Sequence, residues 1–271
     1  MAKFPFFQVD AFTNEPFRGN PAAVCLMPCG LEDDLYQSIA KEINLSETAF
    51  AEELGEPGRY RLRWFTPKRE VPLCGHATLA TAHVLFNHIG VGAPRASFET
   101  LSGTLFAERS AHGIRMDFPR NDPVEVEVIE PVLEALGLED CADFQYSDTN
   151  QKLLVRLENR DMVVGLRLDF SALMAVTNTL GWRGVIVTAK ASGTHDFVSR
   201  YFAPWVGINE DPVTGSAHTV LGPYWGRILG KDKMRAYQAS ERGGELLLEL
   251  TGQRVYITGE AVTVVRGHLE Y

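Results

Sequence analysis

The sequence predicts an α+β fold of two pseudo-symmetric domains, each a curved, mostly antiparallel sheet wrapped around one central helix. An internal repeat is the first observation behind this prediction, because RWFTP at 63–67 returns as RYFAP at 200–204. Each copy is an alternating, aromatic-rich strand that ends at proline. Each leads to a small-residue turn that opens an apolar helix, CGHA at 74–77 and TGSA at 214–217. One such unit in each half indicates two similar domains related by a pseudo-twofold axis.

Two nearly uncharged helices are the second observation. The helix predicted over 76–89 contains no Asp, Glu, Lys or Arg, and its counterpart over 216–229 contains only Arg227. A helix without charge on any face is buried, so we place each at the centre of its own sheet. Pro223 in the second helix predicts a kink or an interruption of the helical bonding.

Length and the order of the elements are the third observation. At 271 residues and 45% hydrophobic composition, the chain can bury a large core, and the repeat favours two small domains over one large one. Strands and helices are mixed without a regular βαβ rhythm, which favours α+β over a doubly wound sheet.

The first domain is assigned to residues 1–120, completed by a C-terminal strand at 258–271. Its elements follow from runs with a period of two or of 3.6 residues. The predicted strands are 4–12, 22–27, 48–53, 60–66, 97–101 and 104–118, the last broken at His112-Gly113, and the remaining predicted helix is 33–43.

The second domain is assigned to residues 121–257, entered through the charged, valine-rich stretch 120–128. Its patterns predict helices near 130–136 and 170–180, and strands near Leu153, Val185 and Phe197. After the helix at 216–229 the chain is predicted to be mostly β from Ala236 onward.

Charge and cysteine content exclude several classes of protein. With 35 acidic and 26 basic side chains the net charge is −9, which argues against nucleic-acid partners and against an anionic membrane surface. No signal peptide or apolar run of ~18 residues is present, so we expect a cytoplasmic protein without a membrane span. Four cysteines are too few for a disulfide scaffold in a chain of this length.

The starts of the two apolar helices are candidate anion sites. A helix N-terminus presents unpaired N–H groups, and Gly75 and Gly215-Ser216 would let a ligand approach the backbone. If the two ends face one interdomain cleft, they form a pocket for a small carboxylate-bearing substrate. Taken singly, each is equally explained as an ordinary tight turn.

Glu47 is a candidate general acid or base. Its apolar neighbours predict partial desolvation and a raised pKa, although a solvent-exposed glutamate at the end of a helix is the simpler alternative. His76 at a helix N-terminus is expected to have a lowered pKa and to act as a neutral hydrogen-bond partner or proton relay, or only as a polar cap.

Asp211, before Pro212, is a candidate for holding a substrate amine or orienting His76, or for bonding its own loop. Cys74 lacks a matching cysteine in the second half, which favours a small buried residue or a pocket wall over a thiol base. The turn at 238–244 is either a loop that closes over substrate or a simple hairpin.

Cofactor and metal motifs are missing from the sequence. The histidines lack metal-site spacing, no GxGxxG follows a strand, and the glycines at 226 and 230 do not form a Walker A loop. We therefore expect no metal and no nucleotide cofactor.

Taken together in order, six segments resemble the phenazine biosynthesis PhzF-like family, whose fold is similar to that of diaminopimelate epimerase. The segments are 9–12, 19–24, 46–50, 72–78, 210–218 and 238–244. The resemblance implies two domains that close over substrate, a homodimer and no cofactor. It places the family's catalytic residues on Glu47, His76 and Asp211, and its carboxylate-binding turns on Gly75 and Gly215-Ser216.

The resemblance also implies the reaction. In the phenazine enzyme a dihydro-hydroxyanthranilate is isomerised by proton transfer, whereas the related epimerases use two cysteines. Because this chain has only Cys74 at such a position, we expect an isomerase with glutamate as the acid and base. Asn20, in the 19–24 segment, is expected with Cys74 among the substrate-binding residues. The alternatives are a racemase or epimerase of an amino or hydroxy acid, and a non-catalytic protein that binds small carboxylates.

Overall fold

The computed structural model describes residues 3–271 and divides the chain into two compact units. Unit one runs up to Phe118 and resumes from Tyr256 to Tyr271, whereas unit two is Pro119–Val255. Both contain helices and mixed sheet, which confirms the α+β class. The twofold relation between the units stays a prediction.

Eighteen strands and six α-helices make up the described chain. The strands are β1 Lys3–Ala11, β2 Asn20–Met27, β3 Thr48–Glu53, β4 Arg59–Phe65, β5 Glu70–Val71, β6 Arg95–Thr100, β7 Gly103–Ser110, β8 Gly113–Pro119, β9 Val124–Glu125, β10 Asp143–Ser147, β11 Lys152–Arg156, β12 Gly184–Lys190, β13 Phe197–Ala203, β14 Ile208–Glu210, β15 Lys233–Gln238, β16 Gly244–Thr251, β17 Arg254–Gly259 and β18 Ala261–Glu270. The helices are α1 Asp33–Ile43, α2 Gly75–Val84, α3 Glu130–Leu136, α4 Arg160–Gly165, α5 Phe170–Ala175 and α6 Gly215–Leu229. A π-helical turn, Leu85–Ile89, continues α2, and a 3₁₀ turn, Pro204–Val206, follows β13.

In unit one, parallel strand pairs occur where a helix lies between the two strands in the chain. β18 pairs with β1, β1 with β2, β3 with β4, and β6 with β7, all antiparallel. β2 and β3 are parallel and flank α1 in the chain, and β4 and β6 are parallel and flank α2. A parallel pair requires such a crossover, so the two helices determine where the sheet becomes mixed.

Helix α2 is the buried helix of unit one. It packs against β1, β2, β3, β7 and β18, and only Gly75 and His83 among its ten residues are not buried. The prediction of a central helix from its lack of charge is therefore confirmed for this unit.

Unit two has the same succession of strand pairs. β9 with β10, β10 with β11, β12 with β13, and β15 with β16 are antiparallel. β11 and β12 are parallel around α4 and α5, and β13 and β15 are parallel around α6. Each unit thus repeats one order of parallel and antiparallel pairs.

The two faces of the unit-two sheet carry different partners. Leu153 and Val155 of β11 belong to an apolar cluster with residues of α3, α4 and α5. On other strands, Thr188 accepts a hydrogen bond from the Trp225 indole of α6 at 3.0 Å, and the Phe197 ring stacks on the Trp225 ring at 5.7 Å. Helix α6 is therefore the buried helix of the second sheet.

Pro223 does not interrupt α6, which contradicts one of the two outcomes expected from the sequence. The helix is continuous from Gly215 to Leu229 with Pro223 inside it. Proline removes the N–H that would bond the Thr219 carbonyl four residues earlier. The backbone N–H of Asn121 donates to that carbonyl instead, at 3.2 Å, so the helix keeps its acceptor satisfied.

The helix predicted over 170–180 is too long, because α5 ends at Ala175. Val176 is already extended, and the Asn178 side chain both accepts from the Trp182 N–H at 2.9 Å and donates to the Trp182 carbonyl at 2.7 Å. An asparagine that bonds the backbone in this way competes with helix, which the apolar pattern of this stretch does not reveal.

The repeated segment forms the same hairpin in both units. Phe65 of β4 pairs with Glu70 of β5, and Phe202 of β13 pairs with Glu210 of β14. In each hairpin an arginine two residues before the phenylalanine makes a two-pronged ion pair with the glutamate, with an Nε–Oε1 distance of 2.7 Å for Arg63 and for Arg200. The internal repeat therefore extends to side-chain contacts.

The length and hydropathy of the helices bear on whether the chain could span a membrane. No helix in the part of the chain from 3 to 271 is both long enough and apolar enough to cross a membrane.

Candidate active site

Glu47 and His76 meet in unit one. Glu47 lies between α1 and β3, and its backbone carbonyl accepts a hydrogen bond from the Ala23 N–H of β2. His76 is the second residue of α2. Its Nε2 lies 3.2 Å from Glu47 Oε2, and the two side chains are only 6% and 13% exposed. Two of the predicted catalytic residues therefore form a buried acid–base pair.

The protonation of this pair differs from the sequence-based expectation at both residues. Burial acts to raise the pKa of the Glu47 carboxyl, but the adjacent His76 outweighs it and holds that pKa below its ordinary value. Burial acts to lower the pKa of His76, yet the contacts with Cys74 and Glu47 hold it well above its ordinary value. The expected rise of the Glu47 pKa and the expected fall of the His76 pKa are therefore both wrong. Each expectation considered one side chain without the other beside it.

The second ring nitrogen of His76 faces two other side chains. Its Nδ1 lies 3.2 Å from the Asn20 amide Nδ2 and 3.6 Å from the Cys74 thiol. Asn20 is completely buried, and Cys74 is buried at the N-cap of α2. Burial raises the pKa of the Cys74 thiol, against the opposing influence of His76. Both residues were expected to contact substrate, and the structure places both against His76.

The donor atoms of Glu47, Cys74 and His76 lie within 4.8 Å of one another, close enough to hold a metal ion. The sequence did not predict this cluster, because its members lack the spacing of known metal motifs. The carboxylate approaches Nε2 whereas the thiol approaches Nδ1. A metal ion binds to one nitrogen of an imidazole ring, but here the carboxylate and the thiol face different ring nitrogens. The arrangement therefore fits a chain of proton-sharing groups more directly than a single coordination sphere.

Asp211 is held by the turn that begins α6 in unit two. Its Oδ2 accepts a hydrogen bond from the Thr214 hydroxyl at 2.5 Å, and its backbone N–H donates to the Tyr201 carbonyl at 3.0 Å. Gln238, which is completely buried, accepts from the Thr214 N–H at 2.9 Å and donates to the Asp211 carbonyl at 2.7 Å. The position of Asp211 is thus fixed on both sides by backbone and side-chain bonds.

The turn at 238–244 is a hairpin, as the simpler of the two predictions had it. Gln238 at the end of β15 pairs with Gly244 at the start of β16. Ser240 in this turn donates to the Pro212 carbonyl at 2.7 Å, and Ser102 in unit one donates to the Pro72 carbonyl at 2.8 Å. The β15–β16 hairpin and the β6–β7 hairpin therefore each brace the loop that leads into the buried helix of their unit.

The predicted anion sites lie at the first turns of the two buried helices. Gly75 is the first residue of α2, and Gly215 and Ser216 are the first two of α6. The Ser216 carbonyl accepts a hydrogen bond from the Asn150 amide at 2.6 Å, which ties the loop between β10 and β11 to this turn.

Lys152 is a polar residue that the sequence analysis missed. It begins β11 and is only 7% exposed. The sequence has one signal, a lysine directly before the apolar run LLV. That pattern alone does not reveal whether the ammonium reaches solvent.

Comparison with known proteins shows the family of this chain. The family model described as phenazine biosynthesis-like protein matches residues 9–267. The chain belongs to this family. A phenazine biosynthesis-like domain-containing protein 1 of Mus musculus is 48% identical over 285 residues, covering 98% of this chain and 99% of the relative. An uncharacterized isomerase of Pseudomonas aeruginosa is 47% identical over 263 residues, covering 97% of each.

Solved structures of the family share the fold. A PhzF-family phenazine biosynthesis protein of Enterococcus faecalis matches with a TM-score of 0.93 and 42% identity, over the full length of both chains. A hydroxyproline epimerase of Agrobacterium vitis matches with a TM-score of 0.61 and 12% identity, covering 98% of this chain and 92% of that one. At that identity the second match concerns the fold alone, which is therefore epimerase-like.

Proposed function

We propose that the protein is a cofactor-independent isomerase that moves a proton on a small carboxylate-bearing substrate, with Glu47 as the general acid and base. The observation that carries the proposal is the buried contact of 3.2 Å between Glu47 and His76. A base must be ionised before it can accept a proton, and the neighbouring His76 holds the pKa of Glu47 below its ordinary value.

The proposed step balances without a redox partner. Glu47 takes a proton from a carbon made acidic by a neighbouring carboxylate or double bond, so that a C–H bond breaks and a carboxyl O–H bond forms. The electron pair moves into the substrate's conjugated system. The O–H bond then breaks as the proton is returned to another carbon, and the double bond shifts. The charge that develops on the substrate is stabilised by N–H groups at the helix starts, Gly75 and Gly215-Ser216.

His76 has a positioning role in this proposal. Its Nε2 side faces the carboxylate that changes protonation, and it stabilises the ionised form. The names of the relatives support the same class of reaction, since the Pseudomonas aeruginosa relative is called an isomerase. Asp211 is proposed to hold a polar group of the substrate, and the active form is proposed to be a homodimer.

The test is solvent exchange in D2O, followed by NMR, with a panel of dihydroanthranilates, amino acids and hydroxy acids. The wild-type protein is expected to isomerise one class of compound and to incorporate deuterium. Glu47→Gln should lower that rate at least ~100-fold, because general acid–base catalysis contributes about that much or more. Glu53→Gln, an exposed carboxylate at the end of β3, is the matched control and should behave as wild type. Full turnover by Glu47→Gln would disprove the assignment.

Epimerisation is the second candidate, and the Cys74 thiol 3.6 Å from His76 Nδ1 favours it. A thiol at that place would donate its own S–H proton to the carbon that Glu47 deprotonates, which leaves a thiolate and a protonated Glu47. Inversion at one carbon without movement of a double bond would identify this reaction, and Cys74→Ala would then abolish it. Saturable carboxylate binding with no exchange of solvent deuterium would instead identify a binding protein.

A further inference from the structure

Gln238 is a completely buried amide whose orientation is determined by the backbone around it. It ends β15, where it pairs with Gly244 of β16 and with Ser199 of the parallel strand β13. One side-chain atom of Gln238 faces the Thr214 backbone N–H at 2.9 Å. A backbone N–H can only donate, so that atom is the amide oxygen, and the amide nitrogen points to the other partners.

The amide nitrogen of Gln238 determines the direction of the next hydrogen bond. Nε2 donates to the Asp211 carbonyl at 2.7 Å and to the Thr214 hydroxyl oxygen at 3.2 Å. Because Thr214 Oγ1 accepts there, its own hydrogen donates to Asp211 Oδ2, at 2.5 Å. Hydrogen bonds that a carboxylate accepts favour its charged form, so this order of donors favours ionised Asp211.

Thr214 does not use its hydroxyl as its place in the fold would suggest. It is the N-cap of α6, where a threonine hydroxyl ordinarily accepts a hydrogen bond from an N–H of the first turn. Here the side chain makes no such cap bond. The helix forgoes that stabilisation, and the hydroxyl serves Asp211 instead. A departure from a local rule of this kind is typical of functional sites.

The bonds of Gln238 have two separable effects. Those to the Thr214 N–H and to the Asp211 carbonyl hold the backbone of the loop. The bond to the Thr214 hydroxyl acts on the Asp211 carboxylate, because that hydroxyl passes its hydrogen to Oδ2. Removal of the hydroxyl alone therefore leaves the loop held and changes only the environment of the carboxylate.

We propose that Gln238 and Thr214 are positioning residues that orient the Asp211 carboxylate and keep it ionised, so that it accepts a hydrogen bond from an N–H or O–H group of the substrate. The inference rests on the proposed function only for the contact of Asp211 with substrate. The orientation and ionisation of Asp211 are properties of the protein without a ligand.

Three titratable groups surround this carboxylate. Lys152 of β11 and Tyr201 of β13 face Asp211, which opposes the fall of the Lys152 pKa and adds to the rise of the Tyr201 pKa. Burial is the larger cause at both, and it brings the pKa of Lys152 to about 8. On α6, burial lowers the pKa of His218, which bonds the Thr214 carbonyl, to about 4. All three groups are kept in every variant proposed below.

The first test needs no substrate. Thr214→Val removes the hydroxyl at an extended residue, a backbone conformation that valine adopts readily. The carboxyl of Asp211 should then titrate at a pH higher than in wild type by about one unit or more, because the charged form loses a hydrogen bond. Carboxyl ¹³C NMR between pH 3 and 7.5 measures this, with Asp211→Asn used for assignment.

Thr214→Ser is the conservative variant, because it keeps the hydroxyl, and its Asp211 titration should match that of wild type. Thr251→Val, at the exposed end of β16, is the matched control and should also match wild type. An unchanged Asp211 titration in folded Thr214→Val, or an equal rise in Thr214→Ser, would overturn the proposal.

Gln238→Met tests whether the amide acts through the hydroxyl. It should raise the pH of the Asp211 titration in the wild-type background and have no further effect in the Thr214→Val background, since the hydroxyl it directs is then missing. An equal rise in both backgrounds would reject the role of Gln238. If Gln238→Met does not fold, the two Thr214 variants decide, because they keep the amide bonds to the loop.

The second test uses the substrate found by deuterium exchange. Thr214→Val should raise KM about tenfold with kcat within about threefold, since the hydroxyl improves a binding contact rather than the proton transfer. Thr214→Ser and Thr251→Val should behave as wild type. Unchanged KM in Thr214→Val would overturn the proposal even if the Asp211 titration moves.

The two proposals fail in different experiments. A wild-type protein that never exchanges deuterium would reject the isomerase, and the NMR titration would still decide whether Thr214 keeps Asp211 ionised. Exchange that depends on Glu47, in a protein whose Asp211 titration is the same with and without the Thr214 hydroxyl, would uphold the isomerase and reject the positioning role.

Discussion

At the scale of single residues, His76 has different partners at its two ring nitrogens. Glu47 faces its Nε2, and Asn20 and Cys74 face its Nδ1. If the Asn20 amide presents its N–H₂ group, Nδ1 must accept and the ring is neutral. If the amide presents its oxygen, Nδ1 can donate and the ring can be charged. The orientation of one buried amide is thus coupled to the protonation of His76.

Asn20→Asp tests this coupling, because it replaces the amide by an acceptor of nearly the same shape. We expect the pKa of His76 to rise by about one unit or more, since a carboxylate then faces Nδ1. ¹⁵N NMR of the histidine rings measures this directly, with His76→Gln used for assignment. Asn87→Asp is the matched control, because Asn87 faces Nδ1 of a different histidine, His83, at 3.0 Å. An unchanged His76 titration in folded Asn20→Asp would contradict the coupling.

His218 is expected to make the stability of the fold depend on pH. Burial lowers its pKa to about 4, and its Nδ1 lies 2.8 Å from the Thr214 carbonyl, which fits a neutral ring that donates there. Between pH 6.5 and 4 the unfolded chain binds a proton at this residue and the folded chain does not. The stability is therefore present above pH 6.5 and is lost as pH falls toward 4, by up to ~3 kcal/mol for this residue.

The measurement is the free energy of unfolding from urea titrations between pH 7.5 and 4. Wild type should lose stability across this window more steeply than His218→Gln, which has no titrating ring. Equal slopes in the two proteins would show that His218 does not contribute.

At the scale of elements, the hairpins β4–β5 and β13–β14 hold the loops that lead into the buried helices. The ion pair of Arg200 with Glu210 is mostly buried, at 12% and 20% exposure, and Asp211 follows Glu210 directly. Arg200 also donates to the Leu166 carbonyl at 3.0 Å. This arginine therefore joins the end of α4 to the strand that positions Asp211.

Arg200→Met should lower the free energy of unfolding by ~2 kcal/mol or more, because the mostly buried Glu210 is left without its partner. Lys3→Met removes an ion pair with Glu270 that is exposed on both sides, at 54% and 55%, and should cost under ~1 kcal/mol. Urea titrations of both variants at pH 7 measure the difference. Similar losses for both would mean that burial of the Arg200 pair has no special energetic effect.

Sequence patterns predict these elements well where one local rule decides them. The alternation in 48–53 and 60–66 gives β3 and β4 almost to the residue, and the lack of charge in 76–89 gives the burial of α2. Prediction fails where a distant partner decides. The bond of Asn178 to Trp182 ends α5 early, and the contact of Glu47 with His76 reverses both expected pKa shifts.

Partners that are distant in sequence also explain what could not be predicted about the candidate site. The resemblance to a family could name Glu47, His76 and Asp211, but not the neighbours that tune them. Asn20 and Gln238 are far from their partners in sequence, and strand registry brings them there. Lys152 was missed because burial of its ammonium depends on the face of β11 it occupies.

At the scale of the whole molecule, the two units differ in the charged groups that each contains. Unit one has the Glu47–His76 pair, and unit two has Asp211 and Lys152. We therefore expect variants in the two units to differ in kinetics once a substrate is known. Glu47→Gln should lower kcat, whereas Asp211→Asn, at the residue proposed to hold a polar group of the substrate, should chiefly raise KM, and steady-state kinetics at pH 7 separates the two. An Asp211→Asn enzyme with reduced kcat and unchanged KM would contradict this division.

The braced loops before α2 and α6 have a consequence for how the chain arose. Ser102 with Pro72, and Ser240 with Pro212, are the same contact made twice, as are the ion pairs of Arg63 and Arg200. At the N-caps between them the two halves differ, with a thiol at Cys74 and a hydroxyl at Thr214. An ancestral half that was duplicated would leave this record: its scaffolding contacts persist in both copies, while the reactive positions are free to diverge into separate tasks.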